Sequence, residues 1–217
     1  DAGTSRTLTD LDIYADYFGR PEVSPNEHSL AVMVQQGDKG CGSPENGNSI
    51  WTIDLENGAT TQVSPGGYCG GGGIVWSPDG MQIAFSVLGV PDTSGVFVTE
   101  VATREARRLA AGLNNVVAWL DDGTILAEQY TCVGCDGGGP PKVLAINSAT
   151  GDVREVTGRV PTGIAPSGQI ATAGEAIEIV DLTGAPVREL APVEDGWRYL
   201  GLEWSPDETY VAYMRNH

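Results

Sequence analysis

The chain has 217 residues, 41% of them hydrophobic and 19% charged, with 30 Gly and 13 Pro, a composition that suits a globular core cut by many turns. Twelve Lys and Arg stand against 29 Asp and Glu, for a net charge of −17; a surface this acidic repels phosphate backbones and anionic bilayers, so nucleic-acid binding is excluded. No apolar run approaches the ~20 residues of a membrane span, so no transmembrane segment is expected, and Asp1 reads as a mature or trimmed start.

In chain order, Ser5-Arg6-Thr7-Leu8-Thr9 reads as a short strand. Asp10, Asp12 and Asp16 follow as a solvated acidic segment without the spacing of a Ca²⁺ loop. Then comes a turn that recurs five times: Val23-Ser24-Pro25-Asn26-Glu27, Trp76-Ser77-Pro78-Asp79-Gly80, Trp119-Leu120-Asp121-Asp122-Gly123, Ile164-Ala165-Pro166-Ser167-Gly168 and Trp204-Ser205-Pro206-Asp207-Glu208. Pro fixes φ, Asp or Asn bonds its own backbone and Gly accepts positive φ, so each motif closes a hairpin between strands we call a and b. A second hairpin, of strands c and d, follows the first four: Ile50–Leu55 to Thr60–Val63, Val96–Val98 to Ala106–Leu109, Val143–Ile146 to Val153–Val156, and Ile177–Val180 to Val187–Leu190. Four antiparallel strands per repeat of roughly 40–45 residues is the blade of a propeller. The expectation is one all-β domain over 1–217: a β-propeller of about five four-stranded blades, an incomplete ring or part of a larger one.

The Trp-Ser-Pro-Asp-Gly turn, the Ile83-Ala84-Phe85 strand after it and the Ile50-Trp51-Thr52-Ile53-Asp54-Leu55 strand resemble the TolB-type, WD40-like β-propeller repeat. The second repeat is the close match. The third has Leu120-Asp121 for Ser-Pro, and the fourth has Ser167 for Asp. The resemblance implies an extracytoplasmic propeller, periplasmic, cell-surface or secreted. It does not single out one function, since such repeats serve translocation proteins, gating domains of prolyl-oligopeptidase-like enzymes and sensor ectodomains.

In an a-b-c-d meander the b–c and d–a connections share one end and the a–b and c–d turns share the other. The b–c loops 35–49, 88–95 and 130–142 are long, and the d–a segments carry Tyr17, Phe18, Tyr68, Asn114, Asn115, Trp197 and Tyr199. These seven are the candidate contacts for a protein, peptide or glycan partner, because loops on a rigid scaffold are where binding sits. All four cysteines fall on the same end. Topology favours Cys41–Cys69 and Cys132–Cys135 as loop-stapling disulfides of an oxidising compartment; a four-thiolate zinc site is the competing reading.

There is no Gly-x-Ser-x-Gly elbow, only His28 and His217 are available for a triad, and the Gly70–Gly73 run lacks the Lys of a phosphate loop. We expect no cofactor, no metal and no catalytic residue, and read the glycines as close packing. Two functions compete: a non-enzymatic binding module, and the substrate-access propeller of a larger hydrolase. The final a–b hairpin and the N-terminal strand would share a blade without a strand c, so a strand donor is a further expected partner.

Overall fold

The computed structural model describes residues 7, 20–36, 46–89, 92–112, 114–130, 142–157, 161–165, 167–173, 176–192, 198–205 and 207–216. Every regular element among them is a strand: β1 Glu22–Val23, β2 Ser29–Gln36, β3 Gly47–Asp54, β4 Thr60–Gln62, β5 Ile74–Trp76, β6 Gln82–Val87, β7 Gly95–Glu100, β8 Ala106–Ala111, β9 Asn114–Trp119, β10 Thr124–Gln129, β11 Lys142–Asn147, β12 Val153–Thr157, β13 Pro161–Ile164, β14 Ile170–Ala173, β15 Ala176–Val180, β16 Pro186–Pro192, β17 Arg198–Trp204 and β18 Val211–Asn216. Hydrogen bonds gather them into four four-stranded sheets, β1 to β4, β5 to β8, β9 to β12 and β13 to β16, and the pair β17–β18. Neighbours in sequence are neighbours in each sheet, which is the up-and-down meander expected of a blade. The chain divides into two compact units, 1–115 and 116–217.

The recurring turn owes its form to a small hydrogen-bond lattice. In the second repeat the Ser77 hydroxyl donates to Asp79 Oδ1 (2.7 Å) and accepts from the Gln82 amide (2.8 Å), while the Met81 amide donates to Asp79 Oδ1 (2.9 Å). Ser24, Asn26, His28 and Ser29 repeat this pattern in the first turn, and Ser205, Asp207, Thr209 and Tyr210 in the fifth. In the third turn, where Leu120 replaces the serine, the Thr124 amide still donates to Asp122 Oδ1 at 2.8 Å. The fifth position is left-handed in all five repeats: Glu27 (φ 60°), Gly80 (71°), Gly123 (83°), Gly168 (88°) and Glu208 (55°). Glycine tolerates that conformation and glutamate is strained in it.

The c–d turns show the same economy. Gly58 (φ 76°), Arg104 (64°), Gly151 (78°) and Gly184 (81°) hold the left-handed position. Asn57-Gly58 sits inside the connection from β3 to β4, in which Asp54 Oδ1 accepts from the amides of Glu56 and Asn57, both at 2.9 Å.

Alternating strand residues point to opposite faces of a sheet, and within each unit neighbouring sheets pack face to face. In the first unit Ala31, Met33 and Ile50 of sheet one pack with Ile74, Trp76, Ile83, Phe85 and Val87 of sheet two. In the second unit Leu126, Val143 and Ala145 of sheet three meet Ile170 and Val180 of sheet four. Ala171 and Ile177 of sheet four meet Leu202, Trp204 and Val211 of the β17–β18 pair. Two tryptophans of the recurring turn also stitch sheet to sheet. Trp76 Nε1 donates to the Glu22 carbonyl (3.0 Å) and Trp204 Nε1 to the Gly163 carbonyl (3.4 Å), which are equivalent positions one sheet back. At the far side of the last pair, Tyr210 and Met214 are exposed.

Candidate functional site

The loop end of the first unit is built on a ledge from Tyr68 to Gly73. Tyr68 is anchored by a two-way backbone bridge to Asn48 (2.8 and 3.1 Å). That approach requires Gly47, whose φ is 118° and whose added Cβ would lie 2.8 Å from the Tyr68 carbonyl oxygen. Cys69 is disulfide-bonded, and its carbonyl accepts the Gly89 amide at 2.9 Å. A Cβ on Gly72 would meet Ser86 Cβ at 2.6 Å, so the glycine run is close packing, as its sequence context implied. Gly73 donates its amide to Asn115 Oδ1 at 2.7 Å, which fastens the ledge to the start of β9.

Three predicted contact residues prove to be part of this framework. The Tyr68 ring packs edge-on to Phe85 (centroids 5.2 Å apart) and beside Phe97 (5.1 Å), and burial pushes its phenol up to about 12. Asn114 and Asn115 were expected in a connecting loop and instead open strand β9. Strand a starts earlier than its apolar residues suggest, its two amides bonding backbone groups of Ala111 and Gly73. Asn114 is fully buried. Its Nδ2 donates to the Ala111 carbonyl at 2.9 Å and its Oδ1 has no hydrogen-bond donor.

Tyr199 likewise falls within a strand, β17, and not in a loop. Tyr17, Phe18 and Trp197 lie outside the described residues, as do Cys41, Cys132 and Cys135. Among the described residues no group of three or more His, Cys, Asp or Glu side chains is placed to hold a metal ion, and no helix is long and apolar enough to cross a membrane.

In the second unit the loop end carries a polar pair that the sequence reading missed. The Tyr130 hydroxyl donates to Glu128 Oε2 at 2.6 Å, at the end of β10. Burial raises the Glu128 carboxyl above its ordinary range against the smaller pull of Tyr130, and burial, with Glu128 beside it, raises the phenol as well. A usable signal was present. Glu128 occupies a strand-b position held by Met33, Ser86 and Ala173 in other repeats, and a carboxylate among such residues marks a departure from pure packing.

No family model and no curated protein matches the chain. Its fold is nevertheless that of solved β-propellers. TolB from Acinetobacter baumannii superposes with a TM-score of 0.58 at 19% identity, over 88% of this chain and 47% of that one. An oligogalacturonate lyase in complex with manganese gives 0.67 at 16%, over 96% and 62%. A prolyl endopeptidase gives 0.62 at 16%, over 91% and 31%. The architecture is thus a TolB-like β-propeller, and the chain spans less than two thirds of each of these proteins.

Proposed function

We propose that this chain is a propeller binding module that works outside the cytoplasm and holds a protein, peptide or glycan partner at its loop end. The observation that carries this reading is the contrast between the two ends of the sheets. At one end the a–b turns of the first, second, third and fifth repeats are closed by hydrogen bonds of their own side chains. At the other, which carries the rigid Tyr68–Gly73 ledge, the sequence allots ten residues between β2 and β3 and seven between β6 and β7. A braced ledge with long flanking loops is the usual build of a recognition surface. The likeness to TolB, and to a chain of a nidogen/laminin complex (TM-score 0.58, 12% identity, 89% of this chain and 70% of that one), supports it. The pairings Cys41–Cys69 and Cys132–Cys135 belong to this proposal as staples of the loops.

The test uses the purified chain against displayed peptide and glycan collections. Alanine at Tyr17, Phe18, Trp197 or Tyr199 is expected to weaken a binder at least fivefold with little change in melting temperature. His28→Ala, in a turn at the opposite end, is expected to leave binding intact. The reverse result would refute the assignment. Tyr68→Ala is excluded from the comparison because its ring belongs to the core.

A second reading has its own support. The likeness to a prolyl endopeptidase and to a puromycin hydrolase (TM-score 0.59, 17% identity) suits a propeller that screens substrates for a hydrolase domain. A hydrolase segment with a Gly-x-Ser-x-Gly elbow in the same gene would favour it over the binding module.

A further inference from the structure

The slot between the third and fourth sheets is polar where its counterpart in the first unit is apolar. Strand registers fix the correspondence. Ser24 and Ser77 pair across their turns with Ser29 and Gln82; Leu120 and Ala165 pair in the same way with Thr124 and Gln169. Counting along strand b from these closures, Met33 corresponds to Glu128. Counting back from the sheet's own pairing, Phe85 (opposite Phe97) corresponds to Thr172 (opposite Glu178).

In the first unit Met33 and Phe85 belong to one apolar cluster, with Phe97 and Tyr68 against it. In the second unit Leu126 and Ile170 share a cluster between sheets three and four. Glu128 and Thr172 lie two residues further along the same strands, so they face the same slot.

This replacement leaves a specific defect. Thr172 is fully buried, and its Oγ1 has no hydrogen-bond partner. A buried hydroxyl without a partner costs about 1–3 kcal/mol, whereas valine at that position would fill the space without cost. Glu128 is held by Tyr130 through one oxygen, Oε2. Glu178, across from Thr172, is half-buried and already has an interaction of its own. The polar groups that the register brings to the slot all offer oxygen: the Glu128 and Glu178 carboxylates and the Thr172 hydroxyl, with the Tyr130 hydroxyl bonded to Glu128. Hard oxygen donors of mixed carboxylate and hydroxyl type suit Ca²⁺, which accepts irregular geometry and completes its shell with water.

We propose that the slot between sheets three and four binds a calcium-class divalent cation, with the Glu128 carboxylate and the Thr172 hydroxyl as its donors and Glu178 at its margin. The ion would couple the two sheets at the level where Met33 and Phe85 pack in the first unit, beside the apolar cluster that sheets three and four share.

The experiment follows thermal unfolding of the whole chain in CaCl₂, with NaCl series matched for ionic strength, and measures Ca²⁺ affinity by calorimetry. A saturable rise in melting temperature is expected for the wild type. Glu128→Gln and Thr172→Val are each expected to lower affinity by about tenfold or more, in line with the effect of disturbing a metal shell, while both variants stay folded. Asp10→Asn and Asp12→Asn are expected to leave affinity unchanged. The proposal is overturned if Ca²⁺ adds nothing beyond matched NaCl while Thr172→Val alone raises the melting temperature; the slot then holds only a strained hydroxyl. It is equally overturned if Ca²⁺ binds but Glu128→Gln and Thr172→Val leave the affinity untouched, since the ion then sits elsewhere on an acidic surface.

Discussion

At the scale of single residues, the turns divide into those that carry glycine at the left-handed position and those that make another residue adopt it. Glu27 takes a φ of 60° and no hydrogen bond of its side chain is seen to justify it. Glu208 has the same strain, but its carboxylate accepts the Ser167 amide at 3.0 Å and the Ser167 hydroxyl. Glu27→Gly is therefore expected to stabilise the protein by about 0.5–1 kcal/mol. Glu208→Gly should gain nothing, because relief of strain is offset by the lost clamp. Urea denaturation of both variants checks this, and equal gains would contradict the reasoning. Acid sensitivity is written at the same scale. Hydrogen bonds from Ser77 and the Met81 amide hold the Asp79 carboxyl below its ordinary range, and Ser205 and Thr209 do the same for Asp207. A carboxyl lowered on folding contributes stability above its unfolded value, and that contribution is lost as pH falls through the folded value. Ser77→Ala lets Asp79 return toward its ordinary range. Melting curves between pH 5 and pH 2 should then show the variant losing stability at a higher pH than the wild type.

At the scale of strands and sheets, the indole nitrogen of the recurring tryptophan acts as a rivet. Trp76 is almost completely buried and donates to a carbonyl of the preceding sheet. Trp76→Phe keeps most of the apolar area but leaves the Glu22 carbonyl without its donor. A loss of about 1–3 kcal/mol is expected, and Trp204→Phe should cost less because its bond to Gly163 is longer. An unchanged denaturation midpoint for Trp76→Phe would remove the rivet. The sheets themselves were legible in the sequence: Ile177–Val180 and Val96–Val98 fall inside β15 and β7, as their alternation required. The candidate site was read less well, for a physical reason. Loop aromatics and amides look alike whether they face solvent or fasten the scaffold, and only three-dimensional partners reveal that Tyr68 and Asn115 do the latter. Thr172 gave no sign at all, because threonine is an ordinary strand residue until its hydroxyl is found buried without a partner.

At the scale of the molecule, charge dominates. With 29 acidic residues against 12 basic ones, the folded chain concentrates like charges that the unfolded chain spreads apart. The melting temperature is expected to climb by several degrees between roughly 20 mM and 500 mM NaCl, as the screening length shrinks from about 20 Å to a few ångströms. A melting temperature that falls with added NaCl would show that attractive ion pairs outweigh this repulsion. Of such pairs, Lys142–Glu155 at 2.7 Å joins two half-exposed side chains, an arrangement worth little in water.

The burial of the sulfur atoms makes the protein its own chemical clock. The chain has three methionines. Met81 and Met214 are each 66% exposed, while Met33 is 1% exposed in the packing between sheets one and two. Dilute peroxide converts an accessible thioether to its sulfoxide and spares one sealed in a core. Intact-mass measurements should therefore show two oxygen atoms added quickly. The third should arrive only as fast as the first two sheets part. The rate of that last step gives the frequency of opening inside the first unit, from wild-type protein without any label.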